Sequence, residues 1–435
     1  MMFQSQAKFA ASLGVTTVAV LALSGCGAAG SSGSTDTNAD IDPSEVSGDI
    51  RFATWWAYVD DDLIAGFNEK YPLVNVELEF TAVDSYRTKL QADAAANDLP
   101  DVFSIQEEIT TALGNGGRLY DLGPALDTAS YDIADTTWRE TFNPALLAQA
   151  DAAATEKPDG QQLGVPFNAI TFASIYNEDI FDEVGVAPPE TFEELLSNCT
   201  VLRDAGYIPM SLTGQTWIEL WPRLAWDQTM RDLSADDFTV EQPEYIAGFQ
   251  AVADMADAGC WDDSQIATDI AEETSLFLQE KTAQFVSVPE NFLGTVADGA
   301  EFPIATYPLP AIGGDLPARA LGGGSGNVIA VSPDSENSAA AIAFSKYLTS
   351  EAVQTELANS VYTMPSIEIE LEASSPLMAA YVDAAEQGFA DPGAYLPPQT
   401  TAGRTKLLGE IIPQLILGQI SAEQAAADSV GVFEN

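Results

Sequence analysis

DIRFAT (Asp49 to Thr54), NVELEF (Asn75 to Phe80) and DVFSI (Asp101 to Ile105) are three short, strand-like runs separated by helix-like ones. Between the first two, Asp60 to Lys70 places Leu63, Ile64 and Phe67 on one helical face. Between the second and third, Tyr86 to Ala96 reads as a helix that Pro100 stops. Strand, helix, strand, helix, strand is the opening of a parallel α/β sheet. In such sheets ligands sit beyond the carboxyl ends of the strands. That rule points to Trp55 and Trp56 after the first strand, and to Gln106, Glu107 and Glu108 after the third.

Further along, Gln162 to Phe167 and Thr171 to Tyr176 read as strands. Thr191 with Glu194 three residues on is a capping box, so a helix starts there after Pro188 and Pro189. This half needs a sheet and core of its own, which makes two lobes the expected architecture. No period of 20 to 50 residues is present, so solenoids and propellers are not expected.

Composition narrows the chemistry. The chain has 435 residues, 46 % of them hydrophobic, enough for two or three domains with well-buried cores. Its 66 acidic and 16 basic residues leave a formal net charge of -50. That charge repels nucleic acid and anionic headgroups, so neither is expected as a partner. There is no histidine. The commonest general base and the commonest zinc ligand are both absent, and serine–histidine and cysteine–histidine nucleophiles are excluded. A two-carboxylate hydrolase passes this filter, since it needs only Asp and Glu.

The amino terminus sets the expected compartment. Lys8 precedes an apolar run, Phe9 to Leu23, too short for a stable membrane span and suited to a secretory signal. The run ends in Leu23-Ser24-Gly25-Cys26, which resembles the lipobox of bacterial lipoproteins. The resemblance implies a signal peptide over 1–25 and a lipid-bearing Cys26. Residues 26–47, rich in Gly, Ser, Thr and Asp, read as a flexible tether. Cys199 and Cys260 remain in the body; outside the cytoplasm they are able to pair, but nothing in the sequence fixes their separation.

Five stretches together resemble the extracellular solute-binding proteins of ABC importers, in the maltose-type, sugar-binding cluster. They are LPDVFSIQ (Leu99 to Gln106) with GGRLYDL (Gly116 to Leu122), LGVPFNAITFASIYNEDIF (Leu163 to Phe181), EKTAQFVSVPENF (Glu280 to Phe292), GGGSGNVIAVSPDSENSAAAIAFSKYLTS (Gly322 to Ser350) and LGQISAEQAAAD (Leu417 to Asp428). The resemblance implies a two-lobed periplasmic-binding-protein-like fold of type II. Each α/β lobe would carry a mostly parallel sheet flanked by helices, and ligand would lie in the cleft between lobes. The expected lobes are discontinuous: 48–163 with 304–360, and 164–303 with 361–435. The resemblance also implies a non-enzymatic receptor on the outer face of the cytoplasmic membrane, expected to be monomeric. It would take no cofactor or metal and hand a carbohydrate to a membrane permease.

A sugar offers flat C–H patches and a rim of hydroxyls, so aromatic faces beside carboxylates or amides are the groups to look for. Of Trp55 and Trp56, strand alternation lets one meet a ligand. Trp217 and Glu219 lie in QTWIELWPRLAW, where the resembled family places an aromatic cleft loop; Trp217 is the expected stacking residue, while Trp221 and Trp226 read as core. Glu290 and Asn291 stand where many relatives carry a stacking Trp, a departure that implies hydrogen bonding there. The glycine run Gly322 to Gly324, with Ser325 and Asn327, allows close backbone approach. Tyr176 ends a crossover strand, and Arg404 lies near the last cleft helix. Three rivals stay open: a receptor for a polyamine or other cationic solute using Asp60, Glu107, Glu108 and Glu219, a secreted glycosidase using two carboxylates, and an adhesin or structural surface protein.

Overall fold

The first strand, β1 (Gly48–Thr54), pairs in parallel with β2 (Val74–Phe80) along its whole length, from Gly48 against Val74 to Thr54 against Phe80. In the computed structural model, described residues are 42–433 apart from 106, 153, 155, 213–217, 313–326, 374, 389, 391–394 and 398. β3 (Val102–Ile105) joins the other side of β1, also in parallel. The helix Asp61–Lys70 starts where the Asp60 carboxylate accepts the backbone N–H groups of Asp62 and Leu63, and it buries Leu63, Ile64 and Phe67 as the spacing predicts. The helix Val83–Ala96 ends at Asn97, whose φ of 57° closes it in a left-handed cap.

Beyond β3 the sheet changes direction. β8 (Asn327–Val331) runs antiparallel to β3 and to β4 (Val165–Ala169), and β9 (Met364–Pro365) runs antiparallel to β4. The order of this six-stranded sheet is β2-β1-β3-β8-β4-β9. Strand alternation then divides its core. Phe52, Val102, Ile329 and Val331 pack on one face with Phe67 and Phe344, while Ala53, Phe103, Ile105, Val328 and Ala330 pack on the other with Tyr86 and Leu90. A sheet covered on both faces reads as continuous apolar runs, which is why DVFSI and NVIAV show no polar alternation.

The second sheet has three strands in the order β6 (Gln284–Ser287), β5 (Ala173–Asn177), β7 (Ile304–Pro308). β5 runs antiparallel to both neighbours. Ile208 adds a parallel bridge to Thr282, beside β6. Both lobes were expected to be mostly parallel; here the pairings among named strands are antiparallel. The reason lies in the path of the chain. β4 runs straight on into β5 through Ile170, Thr171 and Phe172, all buried, so β5 enters from the other sheet and runs against β6 and β7.

That path also sets which sheet each strand near the expected lobe boundaries joins. β4 stays with the first sheet to Ala169, past the boundary expected at 163. β7, expected with the first lobe, pairs in the second sheet, and β9, expected with the second, pairs in the first. VPFNAITFASIY is apolar throughout, so its pattern does not mark where a strand changes sheets.

Helices build the rest of the second lobe. Leu220–Met230 and Pro243–Asp257 pack so closely that a Cβ on Gly248 would lie 2.0 Å from Trp226 Nε1. Trp226 stacks on Tyr245 at 4.8 Å and donates to the Tyr245 carbonyl at 2.7 Å. The helix Phe192–Asp204 carries the complete capping box of Thr191 and Glu194. Its Cys199 is bonded to Cys260, with a Cα–Cα separation of 4.7 Å. Both sulfurs lie in the apolar core with Trp221, Trp226 and Phe249.

Candidate functional site

The carboxyl end of β1 carries an aromatic wall built in a definite order. Thr54 Oγ1 accepts the backbone N–H of Trp56 at 3.0 Å and the Ser104 hydroxyl at 3.2 Å, which ties the ends of β1 and β3 together. Tyr86 points its hydroxyl at the carbonyls of Ala53 (2.9 Å) and Ser104 (2.8 Å). Burial pushes that phenol far above its ordinary range, so it stays a neutral donor. Trp55 stands edge-on to Tyr86 at 4.9 Å and to Trp56 at 5.6 Å.

The two tryptophans part as alternation requires. Trp56 is 2 % exposed and lies flat on Phe167, 4.1 Å between centroids and 11° between planes; Phe167 in turn faces Tyr58 at 6.3 Å. Trp55 is half-buried and keeps accessible indole surface. Trp56 is therefore a backing ring, and Trp55 is the member of the pair with surface to offer. Phe167, Tyr58 and Tyr86 were not singled out from the sequence. Only the fold brings 58 and 167 together, although a Tyr four residues beyond a strand end was a usable signal.

Where the chain crosses between sheets, Asn327 Nδ2 donates to Asn168 Oδ1 at 2.9 Å, and both side chains are buried. Asn327 thus ties β8 to β4 beside the crossing. Tyr176 lies at the far end of β5 from the crossing, three residues or about 10 Å along the strand from Ala173. It packs on Phe181 at 4.6 Å and Tyr307 at 5.8 Å, and so belongs to the outer core of the second lobe.

Glu219 and Arg404, 185 positions apart and named separately from the sequence, meet. Glu219 is 3 % exposed. Its Oε1 lies 3.0 Å from an Arg404 nitrogen and 3.2 Å from Arg223, and Gln399 Nε2 reaches Oε2 at 3.5 Å. Its carboxylate holds two guanidinium groups at once. Arg223, on the next turn of the same helix, was the missed partner; its i,i+4 spacing was readable. A similar pair follows about two turns on, where buried Asp227 holds Arg231 at 3.1 Å and accepts the Tyr395 hydroxyl at 3.2 Å. Trp221 and Trp226 are core, as the sequence suggested.

Cys26, Gln106, Trp217 and Ser325 lie outside the described residues, as do the expected signal peptide and most of the tether. Glu107 and Glu108 start the helix Glu107–Asn115, and Glu290 and Asn291 open the helix Pro289–Gly299 directly after β6; their side chains are outside the described set.

Two sheets exchanging strands, with an aromatic wall at one strand end, define the two-lobed binding-protein class of type II. The chain belongs to the bacterial extracellular solute-binding proteins, whose family model matches residues 47–355. It is 25 % identical over 272 residues to the sn-glycerol-3-phosphate-binding periplasmic protein UgpB of Rhizobium meliloti, covering 59 % of this chain and 60 % of that protein. It is 27 % identical over 185 residues to the melibiose/raffinose/stachyose-binding protein MelE of Bacillus subtilis, covering 42 % and 38 %. The match thus spans three-fifths or less of either relative. The solved GacH receptor of Streptomyces glaucescens, determined unliganded and with acarbose, superposes with a TM-score of 0.69 at 20 % identity over 88 % of this chain and 97 % of that one. Among the described residues no helix is long and apolar enough to cross a membrane.

Proposed function

We propose that this protein is the extracytoplasmic receptor of an ABC importer and captures a carbohydrate by closing its two lobes over it. The observation that carries this reading is Trp55, a half-buried indole at the carboxyl end of β1. It is braced by Tyr86 and Trp56 and stands on the sheet whose strands lead into the crossing. A rigid ring of this kind buries the C–H face of a sugar at little entropic cost. The naming of MelE as a binding protein for melibiose, raffinose and stachyose supports the same class of solute.

On this reading the protein binds without chemistry, needs no cofactor, works as a monomer, and passes its solute to a membrane permease. Cys26 bears the lipid, and 26–47 is the tether. The lobes divide at 170–172. The polyamine alternative loses two of its four acids, since Asp60 caps a helix and Glu219 holds two arginines.

A second reading has support of its own. Arg223 and Arg404 set two guanidinium groups against one carboxylate, and the UgpB relative is named for sn-glycerol 3-phosphate. An anionic polyol phosphate is then the solute.

A thermal-shift panel of raffinose, melibiose, maltose and sn-glycerol 3-phosphate separates the two. A solute at 100 times its dissociation constant stabilises by about 2.7 kcal/mol, which for a body of this size raises Tm by about 3 °C. Binding of a neutral sugar should barely change with salt, whereas phosphate binding should weaken steeply. Sugar turnover during incubation, abolished by one Glu substitution, would overturn the receptor reading in favour of a glycosidase.

A further inference from the structure

The strand that crosses between the sheets is not regular. Its pairing with β8 shifts register between Pro166 and Asn168, which leaves Phe167 in a bulge. Pro166 brings no N–H to the ladder, and the Phe167 carbonyl is met by side chains, one of them next to β9. Two buried side chains accept the task of satisfying it. Gln354, on the helix Glu351–Val361, donates through Nε2 at 2.9 Å, and the Ser366 hydroxyl approaches at 3.1 Å while also lying 2.8 Å from the Pro166 carbonyl. Gln354 and Ser366 are joined in turn, because Gln354 Oε1 accepts the Ser366 backbone N–H at 3.1 Å. On the opposite side of the strand, Asn327 holds Asn168. Gln354 is 3 % exposed and Ser366 fully buried.

Among the described residues two segments join strands of the two sheets, β4 to β5 and β7 to β8, and a third leaves β9 for the helices that follow; this network touches all three. β4 ends at Ala169, two residues after the bulge, and β5 begins at Ala173. Asn327 is where the connection from β7 enters the first sheet. Ser366 follows β9 on the way to the helix Pro376–Glu386, where the Leu377 carbonyl accepts the Thr306 hydroxyl of β7 at 3.0 Å. Amides and a hydroxyl buried in such a place gain little net stability over apolar side chains, but they fix geometry, since each must meet its partner or go unsatisfied.

We infer that Gln354, Ser366 and Asn327 are hinge-positioning residues. They hold the bulge of β4 in a single register, confine inter-lobe rotation to Ile170, Thr171 and Phe172, and thereby set the resting angle between the lobes. The same bulge aims Phe167 at Trp56, so the clasp also seats the wall behind Trp55. This inference rests on the reading that the lobes close over a solute, but its test needs none.

Spin labels on Glu77→Cys of β2 and Glu193→Cys of the helix Phe192–Asp204, both exposed positions, report the inter-lobe distance by pulsed dipolar spectroscopy without any solute present. Gln354→Leu should broaden or displace the distance distribution by several ångströms, with Ser366→Ala and Asn327→Ala doing so to a smaller degree. Tyr245→Phe is the control. It loses a buried hydrogen bond to Ser429 at 2.9 Å within the second lobe, and should lower Tm while leaving the distribution at its parental position. If Gln354→Leu does not fold, the two milder variants decide. The inference is overturned if the clasp variants lower Tm as the control does and keep the parental distribution, or if they change neither. An altered distribution in a protein that binds no member of the solute panel would leave the hinge inference standing and remove only the choice of solute.

Discussion

Removing the Cys199–Cys260 bond is the perturbation whose size follows most directly from the structure. The two residues are 61 positions apart, and both are fully buried in the larger core of the second lobe. Closing a loop of that length in the unfolded chain removes about 14 cal/mol/K of entropy, so the bond contributes about 4 kcal/mol near 25 °C. At about 2.1 cal/mol/K per residue, unfolding a body of this size carries about 0.8 kcal/mol/K, and the loss amounts to about 5 °C in Tm. The assay is calorimetric or fluorescence-detected melting of the parent and of the Cys199→Ala/Cys260→Ala variant, each with and without reductant. Because the sulfurs are buried, reductant should reach them only through unfolding, so the parent should fall toward the variant on slow heating. The reduced parent keeps both sulfur atoms, so its loss isolates the loop term from the small cavity that the alanines add. Equal melting of parent and variant, with no response to reductant, would refute the reasoning.

Three further outcomes follow from particular contacts. Trp55→Ala should weaken solute binding about tenfold or more with little change in Tm, whereas Trp56→Ala, by opening a cavity against Phe167, should cost about 3–5 kcal/mol in denaturant titration. Gly248→Ala should destabilise by more than about 2 kcal/mol, because the added carbon meets the Trp226 ring and its hydrogen bond to Tyr245; an unchanged denaturation midpoint would contradict the close approach. Burial raises the Glu273 carboxyl above its ordinary range, against the opposing hydrogen bonds from Thr268 and Gln265. The folded state therefore holds this proton more tightly than the unfolded chain. Stability from this group is largest below the unfolded value near 4.5 and declines as pH rises through the folded one. Glu273→Gln should flatten that part of the stability–pH curve, and an unchanged slope would remove the assignment.

Much of the fold was legible because its signals are local. Leu63, Ile64 and Phe67 at helical spacing, the Thr191 capping box, and the apolar runs at 49–54, 75–80 and 101–105 each record a rule that operates within a few residues. The site was less legible. Trp55 and Trp56 were recognised as a pair of which one faces outward, but the choice between them depends on Phe167, which a bulge delivers from more than a hundred residues away. The meeting of Glu219 with Arg404 was not legible, because the two lie 185 positions apart, whereas its pairing with Arg223 follows a local spacing.

By itself the sequence determined the class of architecture, the absence of histidine chemistry, the acidic balance, and a few core positions such as Leu63, Ile64 and Phe67, since periodicity and composition act without long-range information. Tertiary structure alone decided where β4 leaves one sheet and enters the other, which acids were already engaged by arginine, and which indole kept an accessible face. Those outcomes depend on residues far apart in the chain meeting at one point, and their meeting is set by the packing of whole sheets rather than by any local pattern.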